Sequence, residues 1–356
     1  MQEFIIAKLP ESVKHAYIDA DPLIYAGAFA VQKAKYQYTN VKTGEKSVMF
    51  EDARRGKQWL SQEEEKSLLF CLDEFTSADW EREKVVDLGT EDDARKATDL
   101  ALKGYLKFVH GCEWRGFITQ RDVLKTKDIP GLERRYQGNR DKLVSPVHHK
   151  VCRDHLLSKE EIKQVIGGFE ADAIVIASAE KKGKEACLLS LDKDLRQAEG
   201  TYILDMSYTP PLILFTEKGT VGGVWECPVK SNIQKRSYKY TGVGFKWLCY
   251  QTVAGDQADH YGGIKGVGSK TVLEALEGCE TYHQCLDAVY ALYEAHGHFK
   301  YTSWDGQEMD LSPAEMMLQH FNLAYQERSP TDSFTFEKYN WSVEDYEKRK
   351  GLVCNV

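Results

Sequence analysis

Short apolar runs alternate with stretches of helical periodicity through the first two-thirds of this chain, and that alternation leaves few folds open. HAYID ends at Asp19 and leads into DPLIYAGAFA, a strand followed by a helix. A helix from about Asp92 to His110 precedes a second apolar stretch near Gly116 to Thr119. A third strand-helix unit lies in VIGGFEADAIVIASAEKKG, and a fourth strand in ACLLSLDKDL ends at Asp192. Strands that alternate with helices build a mostly parallel sheet covered on both faces, so the fold class is α/β. Residues 31 to 100 read as an insertion, with a hairpin around TNVKTGEKS and then a charged helical stretch. Beyond about Gly242 the pattern turns helical, through KWLCYQTVAG, the glycine-rich GGIKGVGSKT and a helix to about Glu277. Ser312 and Pro313 make an N-cap and first-turn pair for a helix through MMLQHFNLAYQ.

The acids fall where such a sheet forms its sites. Asp19, Asp192 and Asp194 lie at or just past the carboxyl ends of predicted strands, and Glu170 and Asp172 sit at the start of a helix. In an open parallel sheet that edge is the binding edge. Taken singly, each acid fits a cap or a surface position, and Asp21, followed by Pro22, fits a helix N-cap better than a ligand. As a set, delivered by separate segments to one edge, they point to divalent metal. Mg2+ and Mn2+ take hard oxygen ligands, and two ions held about 3.5–4 Å apart suit in-line attack on a phosphodiester. The residues by themselves reach an acidic cleft for divalent metal.

In AGDQADHYGGIKGVGSKTVLEAL, Gly263, Gly266 and Gly268 allow tight turns and close approach to another chain, and Ser269 is placed to cap the helix that begins there. The amides of that helix start, with Lys265 and Lys270, form a cradle for a phosphate; a plain glycine-rich turn between helices is the alternative. It is not a nucleotide-binding P-loop, which needs glycine where Ser269 stands and a strand leading in, and Thr271 breaks the G-x-G-x-x-G pattern.

A net charge of −8 argues against a phosphate-bearing partner until its distribution is read. From Ser61 to Leu100 acids outnumber bases 13 to 5, whereas from Arg121 to Lys150 bases lead 8 to 4, so an acidic segment conceals a basic one. The run NIQKRSYKY, with Lys235, Arg236 and Lys239 among tyrosines, suits nucleic acid or a solvated surface equally. Nine cysteines occur singly with no C-x-x-C pair, which excludes zinc and redox centres of that kind and leaves reduced thiols, mostly in the core. The Met316 and Met317 pair reads as core. His148 and His149 read as solvated, and His296 and His298 lack partners at zinc spacing. No nucleophile elbow occurs. No stretch approaches the roughly 20 apolar residues of a membrane span, and no signal-peptide pattern opens the chain, so a cytoplasmic protein is expected.

Five motifs in order give the chain a resemblance to the 5′-nuclease (flap endonuclease-like, PIN-like) superfamily, closest in pattern to the 5′-3′ DNA exonucleases of bacteriophages. They are YIDADPLIYA, RYQGNRDK, FEADAIVIA, SLDKDL and GDQADHYGGIKGVGSKT, between Asp19 and about Leu276. The resemblance implies a PIN-like, mostly parallel sheet flanked by helices over 1–240, with 31–100 inserted and 121–153 as a basic loop or arch. It also implies a helical helix-three-turn-helix DNA-binding subdomain over 241–340. The activity implied is hydrolysis of DNA at or near 5′ ends during replication by a two-metal hydrolase using Mg2+ or Mn2+, in the host cytoplasm if the source is a phage. Carried over by position, Asp19, Glu170, Asp172 and Asp192 hold a first ion, while Asp194, Asp256 and Asp259 belong to a second. Tyr136 packs near the scissile nucleotide and Arg140 contacts its phosphate. The stretch Gly263, Lys265, Gly266, Gly268, Ser269, Lys270 and Thr271 holds the duplex backbone without reading bases. DNA with a 5′ end or flap is the implied partner, alongside replication proteins.

Three positions depart from the pattern. Ala173 stands where the superfamily has a second helix-start Asp, Gln137 stands where it has a lysine, and the further upstream acid aligns to Asp122 or to Gln120. Ala173 and Gln137 motivate a rival reading, a DNA-binding factor on the same fold without competent catalysis. A ribonuclease of the PIN-like group is a third, against which the helix-three-turn-helix pattern argues.

Overall fold

The computed structural model of the protein describes residues 4–70, 75–120, 127, 129–140, 143–167, 170–226, 240–329 and 331–353. Asp122 and the cationic run Lys235, Arg236 and Lys239 lie outside the described residues, as does part of the basic stretch 121–153. The chain divides into two compact units, one of residues 1–22, 107–144 and 160–356 and one of residues 23–106 and 145–159.

The larger unit is built on a seven-stranded sheet. Its strands are β1 (Ile5–Ile6), β2 (His15–Asp19), β3 (Glu113–Ile118), β4 (Ile162–Gln164), β5 (Ala186–Ser190), β6 (Tyr202–Asp205) and β7 (Leu212–Phe215). They lie in the order β1-β7-β6-β5-β2-β3-β4. The five strands from β6 to β4 run parallel, while β7 pairs antiparallel with both β6 and β1. The α/β class with a mostly parallel sheet flanked by helices is therefore as the sequence implied. Sequence position explains which strand is central. In β5 every residue of ACLLS is buried, as a strand covered on both faces must be, and in β2 Ala16 and Ile18 are fully buried. The helix Ala171–Lys182 packs along β2, β5 and β3, and it sets Val175, Ile176 and Ala179 into a core with Leu188, Ile203 and Leu214.

Beyond the sheet the unit turns helical, with Gly244–Ala254, Ser269–Leu276, Tyr282–His296 and Pro313–Ala324 sharing one core around Trp247, Tyr293, Phe321 and Phe334. Ser312 caps the last of these in a capping box with Glu315, as read, and Met316 and Met317 are buried in its core face. The sequence reading lacked β6, β7 and the hairpin Phe299–Thr302 with Glu308–Leu311.

In the smaller unit the strand Gln32–Asn40 pairs over its whole length with Trp80–Leu88, forty residues on. The turn in TNVKTGEKS exists, with Asn40 Oδ1 accepting the Lys42 and Thr43 amides, but it adds only isolated bridges to the ladder. The local hairpin does form, with Tyr36 and Phe50 exchanging both backbone hydrogen bonds and the Ser47 amide donating to the Tyr38 carbonyl, and what the sequence did not show is the long-range ladder. Its reason is aromatic burial: Tyr38 and Trp80 close on Leu60 of the charged helix Ala53–Phe70, with Phe50, Trp59 and Phe75 packed around them. His148 and His149 are not simply solvated. His148 Nε2 lies 2.8 Å from the Gly89 carbonyl oxygen, and the His149 ring sits edge-on to Tyr25. Among the described cysteines Cys152, Cys187, Cys249 and Cys285 are buried thiols, Cys112 and Cys279 are half-buried, and no disulfide joins them.

Candidate metal centre

The chain runs from β2 outward to β3 and β4, then returns to the other side of β2 to place β5. The crevice at that reversal, outside the carboxyl ends of β2 and β5, is where an open parallel sheet offers a site. Asp19 ends β2 and is 5% exposed. Ser190 ends β5 and bridges the crevice: its Oγ donates to Asp19 Oδ2 at 2.9 Å and accepts the Asp192 amide at 2.9 Å. Asp19 Oδ1 also accepts the Asp21 amide at 3.2 Å.

Asp21 itself is the first residue of the helix Asp21–Ala30, so it does not cap it. Its carboxylate accepts the Thr119 amide at 3.1 Å, just past the end of β3. Thr119 Oγ1 in turn accepts the Ala171 amide at 2.9 Å, which pins the helix Ala171–Lys182, with Glu170 at its N-cap position, to the same edge. Asp172 lies in the first turn of that helix, where the helix field favours negative charge. Asp192 caps the short helix Lys193–Gln197 by accepting the Asp194 amide at 2.9 Å.

The fifth segment enters after the helix Gly244–Ala254, where Gly255–Asp256 and Tyr261–Gly262 form a two-residue ladder. It delivers Asp256 and Asp259, 6% and 7% exposed. Asp194, Asp256 and Asp259 each place a carboxylate oxygen within 4.8 Å of the others, the arrangement a hard divalent cation takes. Among the described residues no other group of three is so tight. Asp19, Glu170, Asp172 and Asp192 share the edge without converging on one point.

The electrostatics match. The Asp172 carboxyl is pushed well above the usual range by burial and by the charges of Glu170, Asp19 and Asp192. Asp19 is raised likewise by burial and by Asp21 and Asp192. Asp192, exposed as a residue but with its carboxyl crowded by its neighbours, is pushed up to about 7 by loss of solvation and by Asp194. Asp259 is pushed up to about 6 by burial and by Asp194 and Asp256, against the opposing pull of Gln137 and Arg140. Carboxyls held this way are a set awaiting positive charge.

Arg140 lies beside the second trio, with Nη2 donating to Asp259 Oδ1 at 2.9 Å and half of its side chain in solvent. Gln137, in a left-handed conformation at φ 52°, donates its side-chain amide to the same Asp259 oxygen at 2.8 Å, and its backbone amide donates to the Asp259 carbonyl. Tyr136 is 4% exposed, and its hydroxyl is held far above its ordinary pKa by burial and by Asp259, Glu170, Asp194 and Asp172. Ala173 is buried on the packed face of its helix.

The glycines of the hairpin have different jobs. A Cβ on Gly263 would stand 1.9 Å from the Val253 carbonyl oxygen, so this residue is glycine because two backbones touch there. Around Gly266, at φ 87°, and Gly268 the space is open. Gly268, not Ser269, occupies the N-cap position; Ser269 is the first residue inside the helix and makes no capping bond, which corrects the sequence reading. Lys265, Lys270 and Thr271 are exposed, with Lys270 3.5 Å from Glu274.

Four residues that hold the acids escaped the sequence reading: Ser190, Thr119, Gln251 and Lys193. Gln251 donates to Asp194 Oδ1 and accepts from Gln197 Nε2 at 3.0 Å, all three buried. Lys193 Nζ bonds Asp256 Oδ2 and lies 3.6 Å from Asp194 Oδ1. Burial works against its charge, but Asp194, Asp256 and Asp192 outweigh it and hold the ammonium protonated. Only Ser190 and Lys193 left a trace, as neighbours of the acids in SLDKDL.

Comparison with known proteins gives sequence similarity to DNA polymerase I. The chain is 31% identical to the thermostable DNA polymerase I of Thermus aquaticus over 115 residues, 32% of this chain and 12% of the polymerase. It is 25% identical to DNA polymerase I of Bacillus subtilis over 177 residues, 47% of this chain and 18% of that protein. The chain thus spans under a fifth of the length of these relatives. Among solved structures, the T5 D15 protein co-crystallised with metal ions overlays with a TM-score of 0.40 at 11% identity, covering 87% of this chain and 88% of that one. No protein-family model matches the chain. No helix among the described residues is long and apolar enough to cross a membrane.

Proposed function

We propose that the protein is a divalent-metal-dependent nuclease that hydrolyses DNA phosphodiesters at or near 5′ ends, as a 5′-3′ exonuclease or flap endonuclease serving replication. One observation carries the reading: six aspartates and Glu170, from separate segments, line one sheet edge, three of them within reach of a single cation and Arg140 beside them. Similarity to a DNA polymerase supports DNA as the substrate class.

The donor set is all carboxylate oxygen, which fits Mg2+ or Mn2+ and does not suit a soft metal. In this reading Asp194, Asp256 and Asp259 hold one ion, and Asp19, Glu170, Asp172 and Asp192 hold another, directly or through water. When bound, the ions supply an activated water and neutralise charge at the scissile phosphate. Arg140 is anchored on one side by Asp259 and the Ala258 carbonyl, and its solvent-facing N–H groups are free to meet the phosphate. Tyr136, being buried, supports the floor under the nucleotide. Residues 1–240 act as the catalytic domain and 241–340 as the DNA-binding subdomain. There the open backbone at Gly266 and Gly268, with Lys265, Ser269, Lys270 and Thr271, takes the duplex backbone and reads no bases.

A second reading rests on Ala173 and Gln137. The position that could carry another ligand is an alanine packed in the core, and the residue spent on Asp259 is neutral. That combination suits a factor that holds flap DNA and cuts slowly or not at all. A 5′-labelled flap duplex and its blunt counterpart, incubated with Mg2+, with Mn2+ and with chelator, separate the two. Metal-dependent short 5′ products, lost in Asp192→Ala, support the nuclease. Tight binding with no product in either metal supports the binding factor, and cleavage by Asp192→Ala at the wild-type rate overturns the assigned site.

A further inference from the structure

We propose that Lys193 is a built-in counter-cation which occupies the second metal position and must swing out before a divalent ion binds there, so that it sets the order in which the site loads. The inference rests on the two-metal reading of the same edge. Lys193 Nζ is bonded to Asp256 and lies 3.6 Å from Asp194 Oδ1, and these are two of the three carboxylates that converge within 4.8 Å. A divalent ion needs the same oxygens at about 2.1 Å in the case of Mg2+, too close to leave the ammonium in place. Its side chain is 14% exposed, so the ammonium reaches Asp194 and Asp256 of the trio from within the protein and is not a solvated neighbour.

The backbone that delivers it is fixed. Asp192 caps the short helix that Lys193 begins, and the Lys193 carbonyl accepts the Trp247 indole N–H at 2.9 Å. Release is then a rotation of the four-carbon stem, with no rebuilding of the edge. Among the described residues, Asp19 and Asp172 are acted on by other acids, Asp21, Glu170 and Asp192, and no ammonium is bonded to them, so the first ion enters there without displacement and the second competes with Lys193, whose charge also reaches Asp192. Loading is ordered because one half of the site carries its own cation.

Calorimetric titration of DNA-free protein with Mn2+ tests this in wild type, Lys193→Met, Lys193→Arg and Asp256→Asn. The expected result is a tight and a weaker class in wild type, the weaker one absent from Asp256→Asn. Lys193→Met should tighten that class tenfold or more, and Lys193→Arg should not. Because Lys193→Met leaves three close carboxylates without a cation and can fail to fold, the wild type supplies an independent readout. Amine acylation mapped by mass spectrometry should spare Lys193 in chelator and modify it in Mn2+. Equal affinity of both classes in wild type and Lys193→Met, or equal labelling with and without Mn2+, overturns the role of Lys193 and leaves the two-metal reading standing. No Asp256-dependent class in any variant overturns the two-metal reading itself.

Discussion

Two glycines five residues apart in the hairpin should respond differently to the same substitution, one in stability and the other in binding. At Gly263 the added methyl would sit 1.9 Å from the Val253 carbonyl oxygen, 2.5 Å from the Ala254 carbonyl carbon and 2.6 Å from the Gly255 amide nitrogen. All three are backbone, so relief requires the segment to move by more than an ångström. That motion breaks the Ile264 amide bond to the Val253 carbonyl, now 2.9 Å, beside an Ile264 side chain that is 3% exposed. Overpacking costs about 1–3 kcal/mol, and an orphaned buried amide about the same again. Gly263→Ala should therefore cost roughly 2–6 kcal/mol, seen as a urea midpoint lowered by roughly 0.7–2 M for a slope of about 3 kcal/mol per M. At Gly268 the φ is −82° and nothing lies near the new methyl, so Gly268→Ala should cost no more than about 1 kcal/mol, the loss of a modest N-cap. If the helix start holds a DNA backbone, that same methyl should weaken binding of a flap duplex several-fold, read by fluorescence anisotropy in chelator. A Gly263→Ala protein as stable as wild type would refute the close approach. Undiminished binding by Gly268→Ala would remove this turn from the interface.

Replacing Arg140 by Ala should lower single-turnover cleavage by about 10²–10³-fold, the scale for one preorganised donor at a charged transition state. Its half-exposed pair with Asp259 contributes at most about 1 kcal/mol, so the unfolding midpoint should barely move; unchanged cleavage would discard its role. Arg196→Met strands Asp205 in the interior without its partner and should cost about 3–5 kcal/mol, most of it recovered when Asp205 is also made Leu, as urea unfolding would show. Buried His320 has a pKa lowered to about 4 by burial, below the 6.5 of an unfolded chain. The unfolded state therefore takes up the proton first, so its stability contribution is complete above pH 6.5. It is lost as pH falls toward 4, by about 3 kcal/mol in all. Unfolding midpoints from pH 7.5 to 4 should fall more steeply for wild type than for His320→Gln, and parallel curves would exclude His320 as the cause.

The strands that position the site were legible because burial leaves a mark on them. In HAYID the residues facing the core are Ala16 and Ile18, and in ACLLS nothing is polar until Ser190. YILD and LILF, which became β6 and β7, are four residues each, too short for any period to declare itself. WEREKVVDL was harder still. Only Trp80 of that strand is buried, the rest being charged or half-exposed, and its partner lies forty residues back, so no local pattern announces the pairing. Its register is set by packing of Trp80 with Trp59 and Phe75, which sequence order does not reveal.

The acids were legible for a different reason, and their keepers were not. A carboxylate just past a strand end is visible in one dimension, since strand and acid are adjacent in the chain. What holds it is visible only in three. Ser190 finds Asp19 from 171 residues away, Gln251 finds Asp194 across 57, and Lys193 finds Asp256 across 63. Each of those partners is an ordinary residue type with no spacing signature. The same asymmetry explains why a chain of net charge −8 can be read as handling a polyanion. Seven of its acids are gathered at one edge, where cations would cancel them, and the residues that answer them are Arg140 and Lys193. A sum of charges over the sequence counts the acids and misses the cations proposed to sit among them.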